Sequence, residues 1–224
     1  DISDGLLLDL SRAGEIAVTV TLIGAIDDGG PILRSRAKAG EALCVTGSLG
    51  GARYGLELLR SGLWRRGGSP EPGGDAAVRE RLALRHLRPR ARVDAGRVLA
   101  RMGASAMIDI SDGLLLDLSR LLAASGAGCL VDPSEVPVDP DLAAIEAARP
   151  GAFPDPLHAA LSGGEDFELL FSIDDARLDE VASSLAEVGS PVTRIGTVTD
   201  GPPMVGGRAL DEWKDTGWDH LREA

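Results

Sequence analysis

Residues 107–118 read MIDISDGLLLDL. An apolar strand pattern ends at Asp109, and Ser111 and Asp112 then open a helical pattern. Two carboxylates and a hydroxyl therefore fall within about one turn of each other. Clustered acids repel one another unless a cation lies between them. A hard cation such as Mg²⁺ wants oxygen ligands, and helix N-termini favour phosphate. The pattern suits Asp109 and Asp112 as metal ligands for a nucleotide. The plainer alternative is a helix start, with Ser111 or Asp112 capping free backbone N–H groups. Asp117, further along the helix, reads as a surface residue.

A second constellation is LSGGEDFELLF at 161–171. Its two glycines allow a close backbone approach. Glu165 and Asp166 follow, ahead of an apolar strand. Taken alone it could be a turn with solvated acids. A third stretch, VTGSLGGARYGLELL at 45–59, is a glycine turn between strand and helix. It lacks the lysine that a P-loop uses, so a structural turn is favoured over a phosphate cradle. GWDH at 217–220 puts an indole in a polar tail. Such a ring can cover a core edge or stack on an aromatic ligand.

Composition limits what these residues can serve. The chain has 224 residues and a net charge of −12. That balance argues against a nucleic-acid binder, which presents a basic face to phosphates. An acidic protein can still hold phosphates through intervening metal ions. The 21 arginines face only two lysines, Lys38 and Lys214. Cys44 and Cys129 lie in apolar stretches and read as small buried residues, not as a disulfide or metal site. The histidines are dispersed (His86, His158, His220), which counts against a zinc cluster. No apolar run reaches about 18 residues, so no membrane span is expected. DISDG at the start has no basic n-region, and a cytoplasmic location is the expectation.

The elements that must position the motifs follow from periodicity. Strands are predicted over 15–26, 41–47, 104–110, 127–132, 167–173 and 191–199, with a short one at 203–207. Helices are predicted over 50–63, 76–87, 93–103, 113–126, 141–148 and 176–189. Residues 64–75 are loop by composition. Alternating strands and helices indicate an α+β fold, layered in the α/β manner, with a mixed sheet flanked by helices. DDGG at 27–30 marks a domain boundary, with 1–26 as the remnant of one domain and 27–224 as another. The first twelve residues, DISDGLLLDLSR, recur letter for letter at 109–120. Similarity stops abruptly after Arg12, unlike a solenoid repeat.

MIDISDGLLLDL, SGGEDFELLF, RSRAKAGEALCVTGSLGGARYGL and the terminal GWDH, in this order and spacing, resemble the thiamine-monophosphate kinase family. That family belongs to the ATP-binding superfamily of aminoimidazole ribonucleotide synthetase. The resemblance runs from about residue 9 to the end. It implies a C-terminal domain of that superfamily's fold, an ATP co-substrate, Mg²⁺, thiamine monophosphate as the acceptor, and a family homodimer. It implies Asp109 and Asp112 as Mg²⁺ ligands and Ser111 and Arg34 as nucleotide contacts. Glu165 and Trp218 become substrate contacts, Trp218 at the thiamine end. Arg36 departs from the small residue the family usually has there. Asp9 aligns with an aspartate of the family's glycine-rich word and is a third metal candidate.

Family members carry roughly a hundred further residues upstream, with most of the metal ligands. The 1–12 copy is expected to be a join at the shared word DLSR. The chain by itself is expected to be a weak kinase at best. No side chain is assigned as a general base, because an acceptor phosphate oxygen is already anionic. Transfer depends on charge screening and positioning. Two other readings stand beside this one. One is another ATP-using superfamily member, such as a selenophosphate synthetase-like or hydrogenase-maturation-like protein, against which GGED and GWDH count. The other is a non-catalytic nucleotide- or ligand-binding module.

Overall fold

A computed structural model describes residues 30–66 and 75–217. The predicted strand 15–26, Asp9, most of the 64–75 loop and Trp218 lie outside the described residues. The chain divides after Gly30, and the second unit, Pro31–Ala224, carries every element described here.

Seven strands form one mixed sheet among the described residues. They are β1 (Ala42–Thr46), β2 (Ala106–Ile110), β3 (Gly128–Val131), β4 (Glu168–Ile173), β5 (Val192–Thr199), β6 (Met204–Val205) and β7 (Arg208–Ala209). Their spatial order is β2-β4-β1-β5-β3-β6-β7. All pairings are antiparallel except β3 with β6. The helices are α1 (Gly51–Arg60), α2 (Ala76–Leu87), α3 (Val93–Arg101), α4 (Leu114–Ser125), α5 (Asp141–Ala148), α6 (Pro156–Ser162) and α7 (Leu178–Glu187). The α+β class with helices flanking a mixed sheet is the observed architecture.

The strand period of two sorts side chains onto two faces. Leu43 and Val45 of β1 join Leu114, Leu115, Leu118, Leu121 and Leu122 of α4 in one core. Ala42 and Cys44 point the other way, toward Leu99 of α3 and Val181 and Leu185 of α7. A third cluster is helical and joins Tyr54, Leu82, Leu142 and Phe153. Tyr54 stacks on Phe153 with centroids 5.1 Å apart. Its hydroxyl donates to the Pro154 carbonyl at 2.6 Å. Both cysteines are free and fully buried, as their apolar contexts suggested. Burial pushes the Cys44 thiol up to about 12 and that of Cys129 to about 11. Neither forms the thiolate needed for reactivity.

Helix α2 spans the predicted range. Helix α6 is absent from the periodicity reading. Its signals are Asp155, whose side chain accepts from the His158 N–H at 2.9 Å, and a proline in its first turn. This is a compact N-terminal signature for a helix of seven residues, too short to show an apolar period.

Candidate functional site

Strand β2 delivers the chain to the SDG turn, and Gly113 opens α4 with φ 127°. The helix start is thus a glycine, not Ser111 or Asp112. What organises the turn is Asp117, which is buried rather than on the surface. Its Oδ2 accepts the backbone N–H groups of both Ser111 and Asp112, each at 3.0 Å. Its Oδ1 accepts from Arg120 Nη1 at 2.7 Å, and the same nitrogen bonds the Asp112 carboxylate. The surface expectation fails because helical spacing alone does not say which way the preceding turn folds. Burial pushes the Asp117 carboxyl up, and the two amides and Arg120 pull it back. The hydrogen bond to Asp112 raises the Arg120 guanidinium above its ordinary value; burial opposes this, and Asp117 reinforces it.

The GGED loop docks on this turn through backbone contacts. Glu165 N–H donates to the Ser111 carbonyl at 2.8 Å, and Phe167 N–H to that of Ile110 at 2.9 Å. A Cβ on Gly164 would sit 2.6 Å from the Ser111 oxygen. The close approach expected of the two glycines is therefore present. Glu165 and Phe167 adopt φ of 68° and 50°, a left-handed conformation unusual for such residues. Gly217 lies on the other side of the turn, where a Cβ would be 2.2 Å from the Asp112 carbonyl. Leu116 N–H donates to the Thr216 carbonyl at 3.0 Å, fixing the chain that leads into GWDH.

These loops line a cavity of about 540 Å³ with Ser111, Asp112, Glu165 and Gly217, and Arg53 and His86 line it as well. His86 Nδ1 is 3.0 Å from Glu165 Oε2. In the sequence His86 reads as one of three scattered histidines. Its i, i+4 spacing from Leu82, on the face of α2 that packs against Gly55 of α1, is the local signal for it. Gly55 of α1 permits that packing, since a Cβ there would meet the Leu82 carbonyl at 2.2 Å.

Asp109 and Arg34 are exposed and line a different, shallower cleft of about 430 Å³ with Ile32 and Met107. The structure therefore joins Ser111, Asp112 and Glu165 around one cavity and sets Asp109 and Arg34 beside the edge strand β2. Among the described residues no group of three or more His, Cys, Asp or Glu forms a metal cage. The donors that are present are hard carboxylates, which suit a cation completing its shell with water and phosphate oxygens.

The glycine turn at 45–59 is structural. Asp166 of the GGED loop reaches the N-terminus of α1, where Gly50 N–H and Ala52 N–H donate to it at 2.7 and 3.0 Å. The amides that a phosphate would need already have an anion. Burial pushes the Asp166 carboxyl up to about 6, against the pull of Arg85 and of the two amides. The folded chain then holds a proton that the unfolded chain, with an ordinary carboxyl near 3.8, has lost. Unfolding free energy is expected to fall as pH rises from about 4 to about 6, by on the order of 2 kcal/mol, and to level off above that. Denaturation midpoints across this window measure the slope. Asp166→Asn is expected to flatten it, and an unchanged slope would place the titrating group elsewhere.

Residues 38–206 match the family model for AIR synthase related protein, C-terminal domain, and the chain belongs to that family. Among curated proteins it is 37% identical over 218 residues to thiamine-monophosphate kinase of Mycobacterium tuberculosis, covering 96% of this chain and 57% of that protein. Among solved structures it is similar to thiamine-monophosphate kinase from Stenotrophomonas maltophilia, with TM-score 0.69 and 34% identity over 80% of this chain and 54% of that one. AaThiL complexed with AMPPCP and TMP gives TM-score 0.69 and 31% identity, covering 84% of this chain and 54% of that one. The chain spans little more than half the length of the relatives it matches. No helix among the described residues is long and apolar enough to cross a membrane.

Proposed function

We propose that this chain forms the C-terminal part of a kinase that transfers the γ-phosphoryl group of ATP to the phosphate of thiamine monophosphate, giving thiamine diphosphate. The observation that carries the reading is the bond from Glu165 N–H to the Ser111 carbonyl at 2.8 Å. It puts the SDG and GGED motifs on the rim of one cavity. The relatives' names and the AMPPCP and TMP complex support the reading from outside the chain.

In this reading Asp112 at the cavity and Asp109 in the separate cleft beside β2 are ligands of different Mg²⁺ ions, and Asp9 is a further candidate ligand from outside the described residues. The cations supply charge screening between the two phosphate chains. Ser111 and Arg34 contact the nucleotide. Glu165 is held in place by its backbone bond and by His86, and contacts the acceptor. Trp218 follows Gly217 directly and is assigned to the aromatic end of thiamine. The acceptor oxygen is anionic, so the work of these residues is to bind and orient. The reading includes a homodimer and a cytoplasmic location.

The test is calorimetric titration of thiamine monophosphate into the chain with Mg²⁺ and AMPPCP, for the wild type and for Trp218→Ala. Loss of a stacked indole is expected to weaken binding about tenfold, equivalent to about 1.4 kcal/mol. Equal affinities would overturn the assignment of Trp218. No binding by wild type, alone or together with the N-terminal part of a thiamine-monophosphate kinase relative, would overturn the kinase reading.

A further inference from the structure

Helix α1 lays one stripe of side chains along the cavity. Ala52, Arg53, Leu56 and Arg60 all line it, at the spacing of a single helix face. The reaction outlined above gives the two arginines no part. Arg53 sits against the GGED loop, where a Cβ on Gly163 would lie 2.9 Å from the Arg53 Cβ. Glu57, one turn further along, gathers both guanidinium groups. Arg53 Nε and Arg60 Nη1 approach the same oxygen, Glu57 Oε1, at 3.2 and 3.6 Å. Two cations therefore converge on one point and share one carboxylate.

The acids of the lining are committed differently. Glu165 has His86 at 3.0 Å, Asp215 has His158 at 3.2 Å, and Asp112 has Arg120. Each has a basic partner of its own, so α1 is the part of the lining where cations outnumber the acids they pair with. Those cations are within reach of a ligand: side-chain exposure is 41% for Arg53 and 62% for Arg60. A guanidinium carries five N–H donors in a planar fork that fits two oxygens of a phosphate, and Glu57 engages few of them. Exposed pairs of this kind add little to stability, and α1 is anchored instead by Tyr54 and Leu58 in the core.

We propose that Arg53 and Arg60 form an anion-binding arm of this cavity and take the phosphate group of its ligand directly, with no cation between. For the identity of the ligand this rests on the kinase reading, in which the group is the phosphate of thiamine monophosphate. Glu57 keeps the two guanidinium groups together and tempers their charge. In a chain of net charge −12, such a pair gives a phosphate a local place to dock on a molecule whose overall field repels it.

Calorimetric titration of inorganic pyrophosphate into the full chain in EDTA reads the arginines with no cation present and no need for turnover. The double variant Arg53→Gln/Arg60→Gln is expected to bind about tenfold more weakly than wild type, with its urea midpoint unchanged. Glu57→Gln keeps an oxygen for the arginines but removes a negative charge, and is expected to bind several-fold more tightly; it decides the matter if the double variant is unstable. No binding by wild type, equal affinities for wild type and the double variant, or no gain with Glu57→Gln would overturn the arm. Thiamine monophosphate and thiamine, titrated with Mg²⁺, separate the arm from the reading beneath it. Wild type is expected to prefer the phosphate ester, and the double variant to lose that preference while binding thiamine as before. If the variant is impaired toward pyrophosphate but wild type binds neither thiamine compound, the arm stands and the acceptor reading fails. If wild type prefers the ester and the variant keeps that preference, the acceptor reading stands and the assignment of the arm to its phosphate is wrong.

Discussion

Glu168→Ala is expected to lower the unfolding free energy of this chain by about 3–5 kcal/mol, a large share of the roughly 5–15 kcal/mol typical of a domain. Glu168 is fully buried at the start of β4. Its carboxylate accepts from the Thr46 hydroxyl at 2.7 Å and from Arg92 Nε at 2.7 Å, and Arg92 Nη2 approaches its other oxygen at 2.5 Å. Arg85 Nη2 lies 3.7 Å from the same carboxylate. Removing the acid strands the Arg92 guanidinium and the Thr46 hydroxyl in a space with little water, while Arg85 keeps Asp139 at 2.9 Å. Gly47 shows how tightly that space is kept. Its φ is 61°, and a Cβ there would come within 2.2 Å of the Glu168 carboxylate. Urea denaturation measures the effect, with Glu168→Gln as the control that preserves shape. A loss below about 1 kcal/mol for the alanine variant would mean that the arginines find water or other acids.

Gly164→Ala is expected to separate function from stability. The new methyl would meet the Ser111 carbonyl oxygen at 2.6 Å and the Asp112 Cα at 3.3 Å. Both are backbone atoms held by Asp117, so the GGED loop must move instead. The displacement breaks the Glu165 N–H bond to Ser111 and shifts Glu165 relative to Asp112. A misplacement of about 1 Å costs roughly a hundredfold in the rate of a positioned reaction, and ligand binding through the same contacts is expected to weaken about tenfold, or about 1.4 kcal/mol. The sheet and its two cores lie outside this contact, and global stability is expected to fall by only about 1–2 kcal/mol. The titration described above, run on this variant beside its denaturation curve, checks both numbers. Wild-type affinity with a 2.6 Å contact designed in would show that the cavity does not require the two loops to touch.

Several elements were legible in local sequence because their causes are local. Helix α2 and helix α5 follow from apolar spacing, and both occupy the predicted ranges 76–87 and 141–148. Strands β1 and β2 lie inside their predicted β-rich runs. The paired glycines of GGED announced a close approach, since only a missing Cβ admits a backbone that near. The motif order carried the family resemblance. The amphipathic period and the conformational freedom of glycine act over a few residues, so a reader of the chain can use them.

Tertiary structure decided which groups meet. Asp166 bonds Gly50 across 116 positions, and Thr46 bonds Glu168 across 122. No periodicity encodes those partners. Asp117 reads as surface in the sequence because it lies further along the helix than the SDG turn. The folded turn brought two amides and Arg120 to it instead. Asp109 and Asp112, three residues apart, ended in separate clefts because a strand end and a turn point their side chains differently. A charged side chain's partner depends on which surfaces the cores press together, and that is settled by burial across the whole unit, not by its neighbours in sequence.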